Sequence, residues 1–164
     1  MKTSRSKLPD ACPELLIRHA SDKLALIADS YQRLTGRTLI EPGSDLVATM
    51  WTLPQVVLAH GIEDDPIFFF GNRLALELFE VTPEQIIKMP SRLSAEAMLR
   101  EEREALLERV TRDGYIDDYQ GVRISSTGQR FLIKQATVWN LIDERGVKHG
   151  QAATFSQWEF LESK

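Results

Sequence analysis

Residues Tyr115–Phe160 read YIDDYQGVRISSTGQRFLIKQATVWNLIDERGVKHGQAATFSQWEF and predict three long antiparallel strands. The strands and the tight polar turns between them follow in the order Asp118–Ser125, Ser126–Gly128, Arg130–Ile142, Asp143–Gly146 and Val147–Trp158. At about 3.3 Å per residue the middle strand would be roughly 40 Å long, so we expect a bulge or strong coiling in it. The run carries no catalytic constellation, which favours a protein that binds and reports over one that converts a substrate.

Composition sets the broad class of the protein. The 164 residues are 43% hydrophobic and 27% charged, which is typical of one globular domain with a sizeable core. The net charge of −4 disfavours nucleic acid as a direct partner, because phosphate binding needs a clustered excess of Lys and Arg. The single cysteine, Cys12, suits a reducing cytoplasm, and no apolar run reaches the length of a membrane span.

The N-terminal third predicts a helix of about six turns, from Asp10 to a glycine stop at Gly36. Its apolar stripe includes the candidate interface residues Leu16, Leu24, Ile27 and Tyr31. The stripe either packs on the domain's own sheet or meets a second copy across a twofold axis. We favour a homodimer, because an unpartnered helix would expose an apolar patch.

The middle of the chain predicts two short strands followed by helices. Gln55–His60 and Ile67–Phe70 have strand length and composition, and the period becomes helical from Arg73. Thr82-Pro83-Glu84-Gln85 predicts a capping box with proline at the first helical position. Ser94 can cap a longer helix that runs to Asp113, whose outer side is dense in Glu and Arg.

This element order resembles that of PAS domains, and local motifs support the resemblance. Residues 67–79 (IFFFGNRLALELF) resemble the PAS strand–Asn–helix passage, and Asp143–Gly146 resembles its late hairpin. Gly121–Gly128, Gln135–Trp139 and Trp158–Phe160 are similar to segments of the MEKHLA domain. That domain is the PAS-like module at the C-terminus of plant class III homeodomain–leucine zipper factors, and it also occurs as small stand-alone bacterial proteins, the type that this chain resembles.

The resemblance implies a fold class and a domain layout. We expect an α+β, PAS-like fold: a five-stranded antiparallel sheet with short helices on one face and an N-terminal flanking helix outside the core. The expected layout is a disordered tail at 1–10, the N-terminal helix and linker at 11–45, and the PAS-like domain at 46–164. The hexapeptide that names the family is absent here, so no role tied to it is carried over.

Cofactor expectations follow from the histidines and the cysteine. His19, His60 and His149 are not at metal-ligand spacing, so no metal site is expected. The Ser94–Asp113 helix has no His for a haem of the PAS type, and Cys12 lies far from the place of the flavin-adduct cysteine. Haem and a covalent flavin adduct are therefore disfavoured, while non-covalent flavin remains open.

A ligand cavity between sheet and helices is the favoured site. Alternation along the middle strand places Gln135, Thr137 and Trp139 on one face with large apolar groups. The candidate cavity residues are Phe70, Asn72, Arg123, Phe131, Ile133, Gln135, Thr137 and Trp139. The alternative is a filled core in which Gln135 is bonded to backbone.

Three functions remain open at this point. The favoured one is a cytoplasmic sensory module that binds a small molecule or a protein partner and acts through dimer contacts, with no nucleic acid and no membrane involved. The second is a small cavity enzyme, an isomerase or hydrolase, in which His60 works with Asp64 or Asp117. The third is a ligand-free interaction domain with a solid core.

Overall fold

The predicted C-terminal strands form the centre of a six-stranded antiparallel sheet. The computed structural model describes residues 8–96 and 100–162, with the backbone alone at Arg100 and Arg103. The strands are β1 (Val56–His60), β2 (Phe68–Gly71), β3 (Tyr115–Ile124), β4 (Arg130–Ile142), β5 (Lys148–Phe155) and β6 (Gln157–Phe160). Their order is β2-β1-β5-β4-β3, with β6 paired to the start of β4. The expected fold class is thereby confirmed, and the sixth strand arises because the third predicted strand breaks at Ser156.

Six α-helices and a short 3₁₀ helix surround this sheet in the described part of the chain. They are α1 (Glu14–Ala20), α2 (Lys23–Thr35), α3 (Leu46–Thr52), α4 (Arg73–Phe79), α5 (Pro83–Ile86), the 3₁₀ helix (Ser91–Ser94) and α6 (Arg100–Asp113). The predicted capping box of α5 is confirmed: Thr82 Oγ1 accepts from the Gln85 amide at 3.1 Å, and Gln85 Oε1 accepts from the Thr82 amide at 2.9 Å.

The long connecting helix is shorter than expected at its N-terminal end. Ser94 ends the 3₁₀ helix instead of capping α6, and its hydroxyl donates to Ser91 O at 2.7 Å. Residues 97–99 of the predicted helix lie outside the described residues. The described helix begins at Arg100 and ends at Asp113, where Gly114 takes a φ of 84°.

The predicted N-terminal helix is two helices, and this corrects the single-helix expectation. Ser21, with a φ of 54°, separates α1 from α2. α1 packs against β2 and α5, whereas α2 packs against β4 and α3. Because β2 and β4 are separated by two strands in the sheet, the bend at Ser21 lets both helices follow the surface of the core.

A bulge in β4 decides which side chains face which layer. Tyr119 pairs with Ala136 and Gly121 with Ile133, so Lys134 and Gln135 together oppose the single residue Gln120. Gln135 takes a φ of 53° at this point. Ile133 and Ala136 therefore lie on the same face of the sheet, although they are three residues apart.

The two faces of the sheet are covered by different helices. On the inner face, the row Leu58–Ala153–Val138 points toward α4 and α6. On the outer face, Trp139 packs edge-on against Tyr31 of α2, with ring centroids 4.9 Å apart. Within residues 8–96 and 100–162, no helix is both long and apolar enough to cross a bilayer.

Candidate ligand cleft

A cleft of about 1010 Å³ lies on the inner face of the sheet in the described structure. Buried apolar side chains of four strands form one wall: Leu58, Ile133, Val138, Phe155 and Tyr119. The opposite wall comes from Phe79 of α4, from Leu106 and Leu107 of α6, and from Ser91, Arg92 and residues 94–96. A loop at 61–66 closes one end. Apolar walls with a few polar groups are typical of small-molecule sites.

One end of the cleft is polar and built on β1 and β5. His60 lies next to Gln151 across the strand pair, and its Nδ1 lies 2.9 Å from Gly61 O. Burial lowers the pKa of His60 below its usual value, and the charges of Lys148 and Arg123 act in the same direction. His60 is therefore a neutral hydrogen-bonding group at pH 7.

Arg123 enters the cleft from β3. Its Nη1 donates to Ser94 Oγ at 3.4 Å, and its guanidinium lies 5.6 Å from the centre of the Tyr119 ring. Backbone pairing between Ala95 and Arg123 ties the 3₁₀ segment to the same strand. In the structure as described, Arg123 makes no ion pair with a carboxylate.

Carboxylates at the mouth of the cleft have partners of their own. Arg92 Nε binds both oxygens of Asp65 at 3.1 Å. Arg130 pairs with Glu96, and Glu63 Oε1 accepts from the Ile67 amide at 3.1 Å. The acidic loop is thus a hydrogen-bonded turn.

A hydrogen-bonded path connects the cleft to α6. Gln151 Nε2 donates to Asn140 Oδ1 at 3.2 Å, and Asn140 Nδ2 donates to Val110 O at 3.3 Å in the last turn of α6. The backbone amide of Asn140 also donates to the carbonyl oxygen of Gly114, just after that helix, at 3.0 Å. A group that takes the Gln151 Nε2–H away from Asn140 Oδ1 would therefore act on the side chain that holds the end of α6.

The structure brings only part of the predicted cavity set into the cleft. Arg123 and Ile133 line it, while Phe131 packs edge-on against Phe79 at 5.2 Å, within the core beside it. Gln135 is exposed, and Thr137 and Trp139 lie on the outer face. The prediction for these last three was wrong because strict alternation does not hold across the bulge.

Phe70 and Asn72 are buried but do not line the cleft. Asn72 Oδ1 accepts from the amides of Val57 and Ala75 at 3.1 Å each, and its Nδ2 donates to Met50 O at 3.1 Å and Gln55 O at 2.9 Å. With all four side-chain bonds made, Asn72 joins β1, α3 and α4 and has no capacity left for a ligand.

The predicted interface stripe is not on the surface. Leu16, Leu24, Ile27 and Tyr31 are each at most 7% exposed, because α1 and α2 pack on the chain's own sheet. Of the two alternatives that the sequence left open, the stripe packs on the domain's own sheet. It therefore provides no free surface for a second copy.

The proposed His–Asp pair is not assembled. Asp117 forms an ion pair with Arg37 and does not line the cleft, and Asp64, which does, is not bonded to His60. Among the described residues there is no group of three or more His, Cys, Asp or Glu side chains suited to a metal ion. Burial raises the pKa of the Cys12 thiol to about 11, which makes it a poor nucleophile.

Sequence reasoning missed Asn140, Lys148 and Gln151. Gln151 pairs with both Asn140 and His60 across two strand ladders, which places three polar groups in one row. The sequence carries the polar residues, but the registers of β5 against β1 and against β4 bring this row together.

Solved structures share this architecture. They include the PAS domain of a protein from Colwellia psychrerythraea (12% identity, TM-score 0.53, 69% of this chain and 91% of that one). The dark structure of the Aureochrome1 LOV domain covers 74% of this chain and 88% of its own, with 17% identity and a TM-score of 0.53. The light-state dimer of the fungal photoreceptor Vivid covers 90% and 96%, with 11% identity and a TM-score of 0.53. At these identities the likeness shows the fold alone, which is that of the PAS/LOV class.

Sequence comparison defines the particular family. The MEKHLA domain profile matches residues 21–160, and the chain belongs to the MEKHLA domain family. Relatives include the homeobox-leucine zipper proteins ATHB-9 of Arabidopsis thaliana (25% identity over 73% of this chain) and HOX33 of Oryza sativa subsp. indica (26% over 94%). The alignments cover 14% and 18% of those proteins, so the chain spans about a sixth of the length of the curated relatives it matches.

Proposed function

We propose that this domain is a sensory module that binds a small organic molecule in the cleft between the sheet and α6. The observation that carries the proposal is the cleft itself, about 1010 Å³ in volume with apolar walls and a row of polar groups at one end. A volume of this size is at the upper end of those of small-molecule sites. It argues against the solid-core alternative.

The proposed output is a change at the end of α6. A ligand acceptor that replaces Asn140 Oδ1 on Gln151 Nε2 removes the bond that orients Asn140, and Asn140 in turn holds the last turn of α6. A ligand shifts an equilibrium only by its unequal affinity for two states. Competition at Gln151 supplies that inequality, since one state keeps the Gln151–Asn140 bond and the other gives it up.

Contacts with a second copy or another protein are a further part of the proposal. Support for a homodimer comes from the solved light-state dimer of Vivid, which shares the fold, and no longer from the N-terminal stripe. A cytoplasmic location is proposed on the single cysteine, which suits a reducing compartment.

Native mass spectrometry with an absorbance spectrum of the same sample tests the module as purified. We expect a species heavier than the bare chain by one small organic molecule, and twice that mass if the dimer forms. A bare monomer without absorbance beyond the aromatic band, which also shows no stabilisation with any small molecule in a broad thermal-shift screen, would refute ligand binding.

Hydrogen exchange tests the coupling to α6. Ligand addition should speed exchange of the amides near Val110–Gly114, and Asn140→Ala should do so without ligand. Gln157→Ala, an exposed change on β6, is the matched control. Exchange at α6 that is unaltered by both ligand and Asn140→Ala would contradict the proposed output.

A further inference from the structure

The half-buried guanidinium of Arg123 lines the cleft and has few hydrogen-bond partners in the described structure. Among the described residues, one of its N–H groups has a protein acceptor, the Ser94 hydroxyl at 3.4 Å, which is a long contact. Ser94 Oγ already donates to Ser91 O at 2.7 Å, so the hydroxyl is fixed as an acceptor toward Arg123. The remaining donors of the planar fork have no acceptor among the described protein atoms.

Cations and carboxylates both line this part of the cleft. Lys148 lines the same cleft and, like Arg123, has no ion pair in the described structure. The charges of both cations lower the pKa of His60, and the Glu63 carboxylate raises it, so Arg123 and Lys148 both lie near this histidine. The nearby carboxylates of Asp65 and Glu96 are engaged by Arg92 and Arg130, so they do not neutralise Arg123.

The floor beside Arg123 is apolar. Ile133, Val138, Leu58 and Phe155 line the cleft, and each is at most 8% exposed. A ligand that spans both regions must carry an anionic head and an apolar body. An ordinary hydrocarbon body gains free energy from burial on such a surface, while the head gains a charge-assisted bond.

The acidic loop at the mouth restricts the anion. Glu63, Asp64 and Asp65 follow one another along the edge of the cleft. Asp65 is paired with Arg92, so the negative field at the mouth comes from Glu63 and Asp64, and it disfavours a dianion or a polyphosphate more strongly than a single carboxylate. An arginine fork binds a carboxylate through two parallel bonds, so one negative charge is sufficient for tight, oriented binding.

We infer that the cleft binds an amphipathic monocarboxylate, with the carboxylate on Arg123 and the apolar body along β4, β5 and β1. This inference rests on the proposed function, because it names the ligand class of the same cleft. It goes beyond that function in assigning the charge of the ligand, its orientation and the residue that selects it.

The test uses three probes that share one alkyl chain: decanoate, decanol and decyl phosphate. Isothermal titration of the full chain should show decanoate binding about ten- to a hundredfold more tightly than decanol, which is the effect of one charge-assisted contact. Decyl phosphate should bind more weakly than decanoate. Arg123→Gln should reduce decanoate affinity to that of decanol and leave decanol unchanged.

Two further variants keep the test decisive. Arg123→Lys retains the charge without the fork and should give an intermediate affinity for decanoate, while Arg145→Gln, in the β4–β5 turn and not among the residues that line the cleft, should change nothing. Thermal unfolding by circular dichroism checks that each variant is folded. Equal binding of decanoate and decanol, preference for decyl phosphate, or no binding of any probe would overturn the carboxylate assignment. The proposed function fails separately, by the absence of any bound molecule in the mass spectrum and the ligand screen.

Discussion

Gln135 takes a φ of 53° inside β4, a strand of 13 residues, where most positions are extended. Left-handed backbone is unfavourable for residues with a Cβ, and most of all for β-branched ones. The exposed side chain of Gln135 gains no burial that would offset this cost. The bulge is stabilised instead by the pairing on either side of it, with β3 through Ala136 and Ile133.

The effect of a substitution at Gln135 on the free energy of unfolding should depend on the backbone preference of the new residue and hardly on its polarity. Gln135→Val is expected to lower the free energy of unfolding by about 1–2 kcal/mol, because valine disfavours positive φ. Gln135→Gly should be near neutral. Urea unfolding measures both, with Gln157→Val on β6 as an exposed strand control. A Gln135→Val protein as stable as the parent would show that the strand adopts a regular register.

The same residue explains how far sequence reasoning reached. The length of the middle strand predicted a bulge, but no local pattern located it. Alternation then placed Thr137 and Trp139 in the cleft, whereas the bulge turns them to the outer face. Ile133 and Arg123 line the cleft, and both lie on the side of the bulge toward the β3–β4 turn.

At the scale of elements, the pairing of β5 with β1 leaves no room for a side chain at Gly150. A Cβ at this position would lie 2.1 Å from His60 O, which is backbone and cannot move aside. The φ of 153° at Gly150 is also one that other residues rarely adopt. Glycine at this position allows β1, with His60 at its end, to pair closely with β5.

Gly150→Ala should therefore destabilise the domain by about 3 kcal/mol or more, because the strands must separate to admit the methyl group. The matched control is Gly128→Ala in the β3–β4 turn, where φ is 94° but no atom lies within 4 Å of the new Cβ. It should cost about 1–2 kcal/mol through backbone strain alone. Chemical denaturation compares them, and equal losses would mean that the contact with His60 O is not rigid.

Element boundaries were predictable where local chemistry defines them. Thr82 and Gln85 fixed the start of α5, and β1 and β2 were found from their apolar runs. α3 was missed, although Asp45 caps it by accepting from the Ala48 amide at 3.0 Å. Its seven residues are too few to show a helical period, so the pattern alone does not distinguish a helix from a linker.

At the scale of the whole molecule, α2 is an integral layer of the domain. Ser30 Oγ donates to Ile142 O and accepts from the Ile142 amide, both at 3.0 Å. Trp139 Nε1 donates to Ile27 O at 3.3 Å. The expectation of a helix outside the core failed because sequence shows an apolar stripe but not the surface that covers it.

Ile27→Ala should lower the free energy of unfolding of the entire domain by about 2–5 kcal/mol, since the side chain is fully buried. Trp fluorescence and far-ultraviolet circular dichroism should give one coincident transition. Gln32→Ala, exposed on the same helix, should have little effect. An early, separate transition of α1 and α2, with the sheet melting as in the parent, would show that the helices are an appendage.

The two bonds between Ser30 and Ile142 join residues 112 positions apart in the chain. Contacts of such high sequence separation slow folding, because a large loop must close before they form. During synthesis on the ribosome, the apolar side of α2 is made long before β4 emerges to cover it. Until then Leu24 and Ile27 are open to chaperones or to other nascent chains, so fragments that end before β4 should aggregate.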